Sequence, residues 1–289
     1  MNSLFEYGFT QLSYAAWSVA IPVPFFVILA MLIKGRGLLR DIRPALPEAA
    51  TAILMLVIDA LLFTPFLVAT ALLINQLFAW VPWRDFWAGW PLWAVALVGI
   101  LVADFAGYWR HRFEHSELLW PSHAVHHSDT AMTWLAIFRF HPFNRFSTFV
   151  LDGAALALLG LPPFAIIANN AVRHFYGAFI HADLPWTYGP LGRIFVSPAM
   201  HRWHHANDKA AFDTNYATVF SAIDLIFGTY RVPGPCDVPL GVSEDMGRGV
   251  VGQYMHPLRP RSYAPIRRAL RRKSAEVSRE VGQGVGSVP

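Results

Sequence analysis

Histidines are concentrated in one part of this chain and come in three groups. Eleven of the 12 histidines lie between His111 and His205. The three groups are His111-x3-His115, His123-x2-His126-His127 and His201-x2-His204-His205. Residues three or four apart share a helix face, so each group can present two imidazoles to one ion. Imidazole is a strong ligand for first-row transition metals, and the pattern therefore predicts a metal centre where these stretches of chain meet.

The number of histidines indicates two metal ions rather than one. A transition metal takes about four to six ligands. The three groups supply eight imidazoles, and His181 is the natural ninth. Neighbours such as His126 and His127 point about 100° apart on a helix, so they can bind different ions. Ordinary hydrogen-bonded histidines would explain any one of these residues, but not three helically spaced groups.

Other histidines have weaker claims on the metal. His174 lies seven residues before His181 on the same helix face, so it is either a tenth ligand or a supporting neighbour. His141 precedes Pro142, where a supporting or structural role is favoured over ligation. His256 lies far from the groups in the chain and is predicted to be a solvated surface residue.

Asp104 is the one carboxylate predicted to support a ligand. It lies seven residues before His111, at the end of an otherwise apolar run, where an unpaired charge is costly. Two alternatives stay open. Asp104 either orients a ligand imidazole, as metal-bound histidines usually require, or pairs with Arg110 or Arg112.

The composition is that of a membrane protein. Hydrophobic residues make up 55% of the 289 residues and charged residues only 15%, against about 25% in soluble domains. The single cysteine, Cys236, excludes a disulfide framework and a cysteine-based zinc site. The net charge of +4, with its basic excess near the C-terminus, suits an anionic membrane surface better than nucleic acid. The N-terminus lacks the basic region that opens a signal peptide, so we expect it to remain in the mature protein.

Apolar runs predict about four membrane-spanning helices. Three spans are predicted near residues 15–33, 49–80 and 91–108, each long enough to cross a bilayer. Pro65 either kinks the second span or divides it into a hairpin. A fourth apolar region, 146–172, is interrupted by Gly160, Pro162 and Pro163 and is predicted to be a membrane hairpin.

Charge predicts the orientation of these spans. No Lys or Arg precedes Lys34, so the positive-inside rule places the N-terminus outside and the 34–46 loop in the cytosol. A kinked second span returns the third span to the cytosol, where Arg110 and Arg112 follow it. A hairpin at Pro65 would put the histidines on the opposite side, so charge favours the kinked helix.

This organisation divides the chain into three parts. Residues 1–103 are predicted to form the transmembrane base, 104–232 the catalytic domain including the hairpin, and 233–289 a basic cytosolic tail. Arginines and a lysine accumulate between Arg259 and Lys273. They indicate either a flexible basic tail or an interfacial helix on anionic lipid.

Further residues extend the histidine groups into a series of ordered motifs. In chain order these are Asp104-x3-Tyr108-Trp109-x-His111-Arg112-x2-His115, Leu119-Trp120-x2-His123-x2-His126-His127-Ser128, Arg139-x-His141-Pro142, His181, Ser197-Pro198-x2-His201-x2-His204-His205, Asn215-Tyr216 and Asp224-x2-Phe227-Gly228-Thr229. Over residues 104–229 the chain resembles the sterol desaturase/fatty acid hydroxylase superfamily. Two positions depart from its pattern: Ile223 stands where Trp usually precedes the Asp, and Asn144-Arg145 where an acidic residue is common.

The resemblance implies an all-α integral membrane protein, with a cytosol-facing helical cap of histidines over about four transmembrane helices. It implies a di-iron centre, two iron ions that activate dioxygen. The ligands that it implies are His111, His115, His123, His126, His127, His181, His201, His204 and His205. The expected reaction is hydroxylation, or desaturation, of an unactivated C–H bond in a lipid such as a sterol or fatty acyl chain. Because the chain has no haem-binding or flavin-binding segment, we expect a separate electron-donor protein.

Two other classes compete with the lipid oxygenase. A membrane zinc hydrolase needs an open metal position and usually a glutamate base, but Glu114 and Glu117 do not form the HExxH motif. A metal transporter or sensor would place its ligands at mid-membrane rather than beyond Tyr108. The motifs therefore favour the oxygenase.

Overall fold

The computed structural model describes residues 2–247 and 249–264, with side chains described from Glu6 onward. Its α-helices are α1 (Asn2–Ala20), α2 (Val23–Lys34), α3 (Leu38–Ile58), α4 (Thr64–Leu77), α5 (Leu92–Glu114), α6 (Trp120–His127), α7 (Pro142–Leu158), α8 (Pro163–His181), α9 (Pro198–His204), α10 (Ala222–Ile226) and α11 (Gly249–Met255). Short 3₁₀ turns connect several of them. Within the described ranges the strand-like pairing is one isolated bridge between Ala206 and Leu240. The prediction of an all-α fold is confirmed.

Two segments are long and apolar enough to cross a membrane, Glu6–Leu77 and Leu92–Glu114. The first contains a reversal at residues 35–37, where Gly35 adopts a φ of 51° that suits glycine. The Tyr7 hydroxyl then reaches the Ala60 carbonyl at 3.4 Å, so the two arms of this segment run side by side in opposite directions. The arms contain the predicted spans 15–33 and 49–80.

The second arm continues through Pro65 without reversing. Helix α3 passes into α4 through a π-helical turn at Asp59–Phe63. Proline lacks the N–H that an α-helix needs, and the wider turn accommodates the missing hydrogen bond. The Thr64 hydroxyl donates to the Asp59 carbonyl at 3.2 Å within this turn. The structure therefore has the kinked helix that charge favoured and not the hairpin.

Helix α5 packs against both α7 and α8. The predicted membrane hairpin 146–172 lies within these two helices, which are joined by a tight turn at 159–162. Small residues allow α5 and α8 to approach closely: a Cβ on Gly99 would lie 3.1 Å from the Cβ of Ala165. Leu156 and Leu161 are buried at the same contact.

Tryptophans secure the end of the bundle that is remote from the histidines. The indole N–H groups of Trp83 and Trp87 donate to the carbonyls of Leu158 and Leu159, each at 2.9 Å. The donors follow α4 and the acceptors end α7. The 81–90 loop and the α7–α8 turn therefore lie together.

Ion pairs hold the opposite end. Lys34, at the end of α2, pairs with Asp183 just beyond α8, and Glu48 of α3 pairs with Arg139. Residues 34–48 consequently lie at the same end of the bundle as the last residues of α5 and α8, which carry predicted metal ligands. The predicted 34–46 loop is only a short reversal at 35–37, because helix α3 begins at Leu38.

The described part of the predicted tail is folded against this end. Gly241 N–H donates to the His205 carbonyl at 3.2 Å, and the Tyr254 hydroxyl donates to Asp59 at 3.0 Å. The prediction of a solvated His256 is wrong, because the turn that begins at His256 packs against α6 and the residue is only 4% exposed. Residues 265–289, with most of the basic cluster, lie outside the described residues.

Candidate metal centre

The nine predicted ligands lie in two adjoining groups at one end of the bundle. Group one is His111, His115, His123, His127 and His204, and group two is His126, His181, His201 and His205. In each group the candidate ligand atoms all lie within 4.8 Å of one another. The rings of His127 and His205, one from each group, stack at 4.3 Å between centroids, so the two groups are in direct contact.

Helical spacing determines how the motifs divide. On α6, His123 and His127 are four residues apart and face group one, while His126 turns towards group two. The C-terminal motif does the reverse, with His201 and His205 in group two and its middle histidine in group one. Adjacent histidines therefore serve different groups, as the angle between neighbouring helical residues predicts.

Neighbouring Nε2 atoms are separated by distances that suit ligands of one ion. The Nε2–Nε2 distances are 2.9 Å for His111–His123, 2.9 Å for His111–His204 and 3.1 Å for His123–His127 in group one, and 3.2 Å for His126–His181, 2.9 Å for His181–His201 and 3.2 Å for His201–His205 in group two. Two nitrogens about 2.1 Å from an ion and about 90° apart are roughly 3.0 Å from each other.

The ring tautomers in group one leave lone pairs facing each other. The Nδ1 atom of His111 lies 2.7 Å from the Tyr216 carbonyl, and that of His204 lies 2.7 Å from the Thr214 carbonyl. A carbonyl only accepts, so each Nδ1 carries the proton and each neutral ring has its lone pair on Nε2. These two lone pairs meet across 2.9 Å, which is repulsive without a cation between them.

Group two repeats this arrangement. The Nδ1 atom of His181 donates to the Gly177 carbonyl at 2.6 Å, and that of His126 donates to the Arg139 carbonyl at 3.3 Å. Their Nε2 atoms are therefore both lone pairs, 3.2 Å apart. A transition-metal ion with nitrogen ligands fits both groups.

A shared proton does not replace the metal at neutral pH. Burial lowers the pKa of the His123 ring to about 3 and that of the His181 ring to about 4. Burial also holds the pKa of His204 well below its ordinary value, and the nearby His115 lowers it further. The rings are therefore neutral at pH 7, which is the state that binds metal.

Asp104 contacts neither a ligand imidazole nor Arg110 or Arg112, so both roles predicted for it are wrong. The buried carboxylate instead accepts hydrogen bonds from the backbone N–H groups of residues 218–220 at 2.7–3.2 Å. Three backbone donors converge on the two oxygens, and Arg173 adds a nearby positive charge.

Asp104 supports the metal centre through that loop. A second buried carboxylate, Asp224, accepts from the backbone N–H groups of Tyr216 and Ala217 at 2.7 and 2.9 Å. The two carboxylates fix successive stretches of the loop, residues 216–217 and 218–220. The loop in turn presents the Tyr216 carbonyl to His111.

The two remaining predicted histidines are not in either group. His141 caps the start of α7, because its Nδ1 accepts from the Phe143 N–H at 3.2 Å. Its Nε2 lies 3.2 Å from the Tyr254 carbonyl. The His174 ring is half-buried beside Phe138, at 5.8 Å between centroids.

Sequence reasoning missed two side chains that contact His123. Its Nδ1 lies 3.1 Å from Asn144 Oδ1 and 3.5 Å from Glu114 Oε2. Glu114 was considered only as a hydrolytic base. The sequence did contain a signal for Glu114, because it lies four residues after Arg110 on an apolar helix. A charge pair buried in such a helix indicates a functional network.

The comparisons with known proteins agree with this geometry. Residues 96–229 match the fatty acid hydroxylase family. The chain is 33% identical to ornithine lipid hydroxylase OlsE of Rhizobium tropici, over 60% of this chain and 53% of the relative. It is 32% identical to alkylglycerol monooxygenase of Danio rerio, over 60% of this chain and 37% of the relative. It is 30% identical to Delta(7)-sterol 5(6)-desaturase ERG3A of Gibberella zeae, over 52% of this chain and 40% of the relative.

These matches define an oxidoreductase class of lipid hydroxylases, monooxygenases and desaturases, as the sequence predicted. Over residues 96–229 the chain therefore resembles the sterol desaturase/fatty acid hydroxylase superfamily, as its motifs predict. It spans about half or less of the length of these relatives. No solved structure matches it significantly.

Proposed function

We propose that this protein is a membrane-bound di-iron oxygenase that uses dioxygen and external electrons to hydroxylate, or desaturate, an unactivated C–H bond of a lipid. The observation that carries the proposal is the pair of histidine groups in which buried Nε2 lone pairs face each other at 2.9–3.2 Å. Similarity to a superfamily of lipid oxidoreductases supports it.

The histidines would hold one iron ion in each group. Bound there, iron supplies the reductive activation of dioxygen that attack on an inert C–H bond requires. Neutral imidazoles leave each ion its full positive charge, because they bring no negative charge of their own. The carbonyls of Tyr216, Thr214 and Gly177 hold three of these rings in the ligating tautomer. Burial of the cap keeps water from the reacting bond.

We also propose that the helical segments span the membrane, with the histidines on the cytosolic face and residues 104–232 as the catalytic domain. Large apolar side chains such as Leu32, Phe66 and Trp93 are 69–76% exposed on α2, α4 and α5 and would contact lipid. A substrate dissolved in the bilayer then reaches the metal end of the bundle without crossing water.

The electrons would come from a separate carrier protein on the cytosolic side. In hydroxylation one oxygen atom enters the lipid and the other leaves as water, whereas in desaturation both leave as water. Either reaction consumes two external electrons and two protons in each turnover. If purified protein with NAD(P)H alone sustained turnover, this part of the proposal would be wrong. Dependence on an added reductase or ferredoxin would support it.

The relatives' names suggest two kinds of lipid substrate. Ornithine lipids and alkylglycerols are chains with a polar headgroup, whereas the desaturase relatives act on sterols. We favour the acyl or alkyl chain of a polar lipid, because the most similar of these three relatives act on such molecules.

Isotopic oxygen separates this function from the zinc hydrolase. Cells with and without the gene are grown under ¹⁸O₂, and their lipids are compared by mass spectrometry. We expect a lipid alcohol labelled from dioxygen, or an alkene formed only in its presence, and neither with His204→Ala. Turnover supported by zinc alone, with oxygen from water, would contradict the proposal. The structure disfavours that chemistry, since Glu114 is engaged by Arg110 and is not a free base.

A further inference from the structure

The two groups differ in the charge behind their ligands. In group one, Glu114 Oε2 lies 3.5 Å from the Nδ1 of His123, and Asp213 Oδ1 lies 3.7 Å from the Nδ1 of His115. In group two, the Nδ1 atoms of His126 and His181 face backbone carbonyls, and among the described residues those of His201 and His205 have no hydrogen-bond partner. Among the residues that the structure describes, no carboxylate lies within 4.0 Å of a group-two ring nitrogen.

Of the two carboxylates behind group one, only Glu114 is shielded from water. Its side chain is 2% exposed, whereas that of Asp213 is 73% exposed. A charge in contact with solvent is screened, but a buried charge acts on its neighbours at nearly full strength. Glu114 is therefore the carboxylate whose charge reaches a ligand.

The surroundings of Glu114 keep it ionised. Arg110 Nη1 donates to Oε2 at 2.8 Å, and the Ser147 hydroxyl donates to the other oxygen. Arg110 is held in turn by Asp152, at 3.0 Å from its Nε. Arg173 approaches Asp152 at 3.4 Å, so two cations balance two carboxylates in a dry network between α5, α7 and α8.

Two side-chain oxygens lie near the Nδ1 atom of His123: that of Asn144 accepts its hydrogen bond, and that of Glu114 lies at ion-pair distance. Asn144 Oδ1, 3.1 Å from Nδ1, is enough to fix the proton there and leave the Nε2 lone pair for the ion. Glu114 adds negative charge at the same nitrogen. A carboxylate behind a ligating histidine raises the basicity of the ring, and removing such a partner costs about 10–100-fold in metal affinity.

We propose that Glu114 is a positioning residue for His123 and that its charge makes group one the tighter and first-filled of the two metal sites. Group one has five imidazoles and a buried carboxylate behind one of them. Group two has four imidazoles and no such charge, so its ion binds later and exchanges faster. The inference rests on the proposed function only in assuming that both groups hold metal.

Cobalt(II) titration of the full-length protein tests the proposal without any oxygen chemistry. Cobalt reports binding by its visible absorption, and a chelator of known affinity sets the free ion. His201→Ala disables group two and isolates group one, and His111→Ala does the reverse. We expect the isolated group one to bind cobalt at least about tenfold more tightly than the isolated group two.

Glu114→Gln keeps the shape of the side chain and removes its charge. In the His201→Ala background it should weaken cobalt binding about 10–100-fold, and in the His111→Ala background it should leave binding unchanged. Glu117→Gln is the matched control: it makes the same substitution at an exposed carboxylate that pairs with no histidine, and it should leave group one within about twofold. Equal affinities of the two isolated groups, or Glu114→Gln without effect on group one, would overturn the proposal.

Asn144→Asp separates charge from structure. It places a new carboxylate at the same nitrogen of His123, so Glu114→Gln with Asn144→Asp should recover the affinity that Glu114→Gln loses. A structural role of Glu114 towards Arg110 predicts no recovery, and that result would overturn the proposal. If Glu114→Gln fails to fold, Asn144→Asp alone answers the same question, because added charge should tighten group one and not group two.

The outcomes also separate this inference from the proposed function. Suppose that the two groups bind cobalt with unequal affinities that depend on Glu114, but the protein incorporates no oxygen from dioxygen. That result would refute the proposed oxygenase function and support the inference about Glu114. A lipid product labelled from dioxygen, made by a protein whose two groups bind cobalt equally well, would support the oxygenase function and refute the inference about Glu114.

Discussion

Asp104→Asn should weaken the protein and the metal centre together. The carboxylate accepts from three backbone N–H groups in residues 218–220, and Oδ2 lies 2.7 Å from the Phe220 nitrogen. An asparagine must turn its NH₂ towards at least one of these donors. The variant therefore leaves a buried N–H unsatisfied and removes the charge from the remaining bonds.

The magnitude follows from those bonds. An unsatisfied buried donor costs about 1–3 kcal/mol, and hydrogen bonds to charged groups contribute about 1.5–3 kcal/mol. We expect a loss of about 3 kcal/mol, which lowers Tm by about 6–12 °C for a domain of this size. The loop also presents the Tyr216 carbonyl to His111, so cobalt affinity of group one should fall while that of group two stays unchanged.

Thermal unfolding of purified protein in detergent, with and without metal, measures both effects. Asp85→Asn is the control, because Asp85 is exposed and should change stability by less than about 0.5 kcal/mol. If Asp104→Asn unfolds at the wild-type temperature and keeps the wild-type affinity of group one, the role assigned to the carboxylate is refuted.

Three further outcomes are expected. His204→Ala should lose at least one metal ion and all turnover while still inserting into the membrane. Elemental analysis measures the metal and membrane fractionation the insertion. Full iron content together with activity would contradict the assignment of His204 as a ligand. Gly192→Ala should destabilise the protein by about 2–3 kcal/mol, because the new Cβ would lie 2.2 Å from the Thr187 carbonyl oxygen, whereas Gly37→Ala, with nothing within 4 Å, should be nearly neutral. Chelation should lower Tm, since an ion at about 1,000 times its Kd stabilises the folded protein by about 4 kcal/mol and the facing lone pairs repel once it leaves; equal melting with and without chelator would argue against metal in these groups.

The helices and the ligand groups could be predicted because their signals are local. Apolar runs of sufficient length predict helices regardless of what packs around them. The helical spacing within each motif decides which histidines share a face, so the division of His126 from His127 follows from one turn of helix. Charge at the helix ends was enough to favour the kink at Pro65 over a hairpin.

The supporting contacts could not be predicted because they join distant parts of the chain. Asp104 is satisfied by backbone groups 114–116 residues away, and nothing near Asp104 in sequence indicates them. His256 is buried because its segment folds back over the bundle, although Arg259 and the basic cluster follow closely in the sequence. The negative charge beside His123 comes from Glu114, and the sequence around Glu114 does not indicate that its side chain faces this ring.

Metal content of the purified full-length protein tests the central claim most directly. Iron is measured by mass spectrometry against protein concentration in the wild type, His111→Ala and His201→Ala. The two groups predict about two iron ions per chain in the wild type and about one in each variant, with the remaining ion bound by the intact group. Two ions retained in either variant, or none bound by the iron-loaded wild type, would contradict the account.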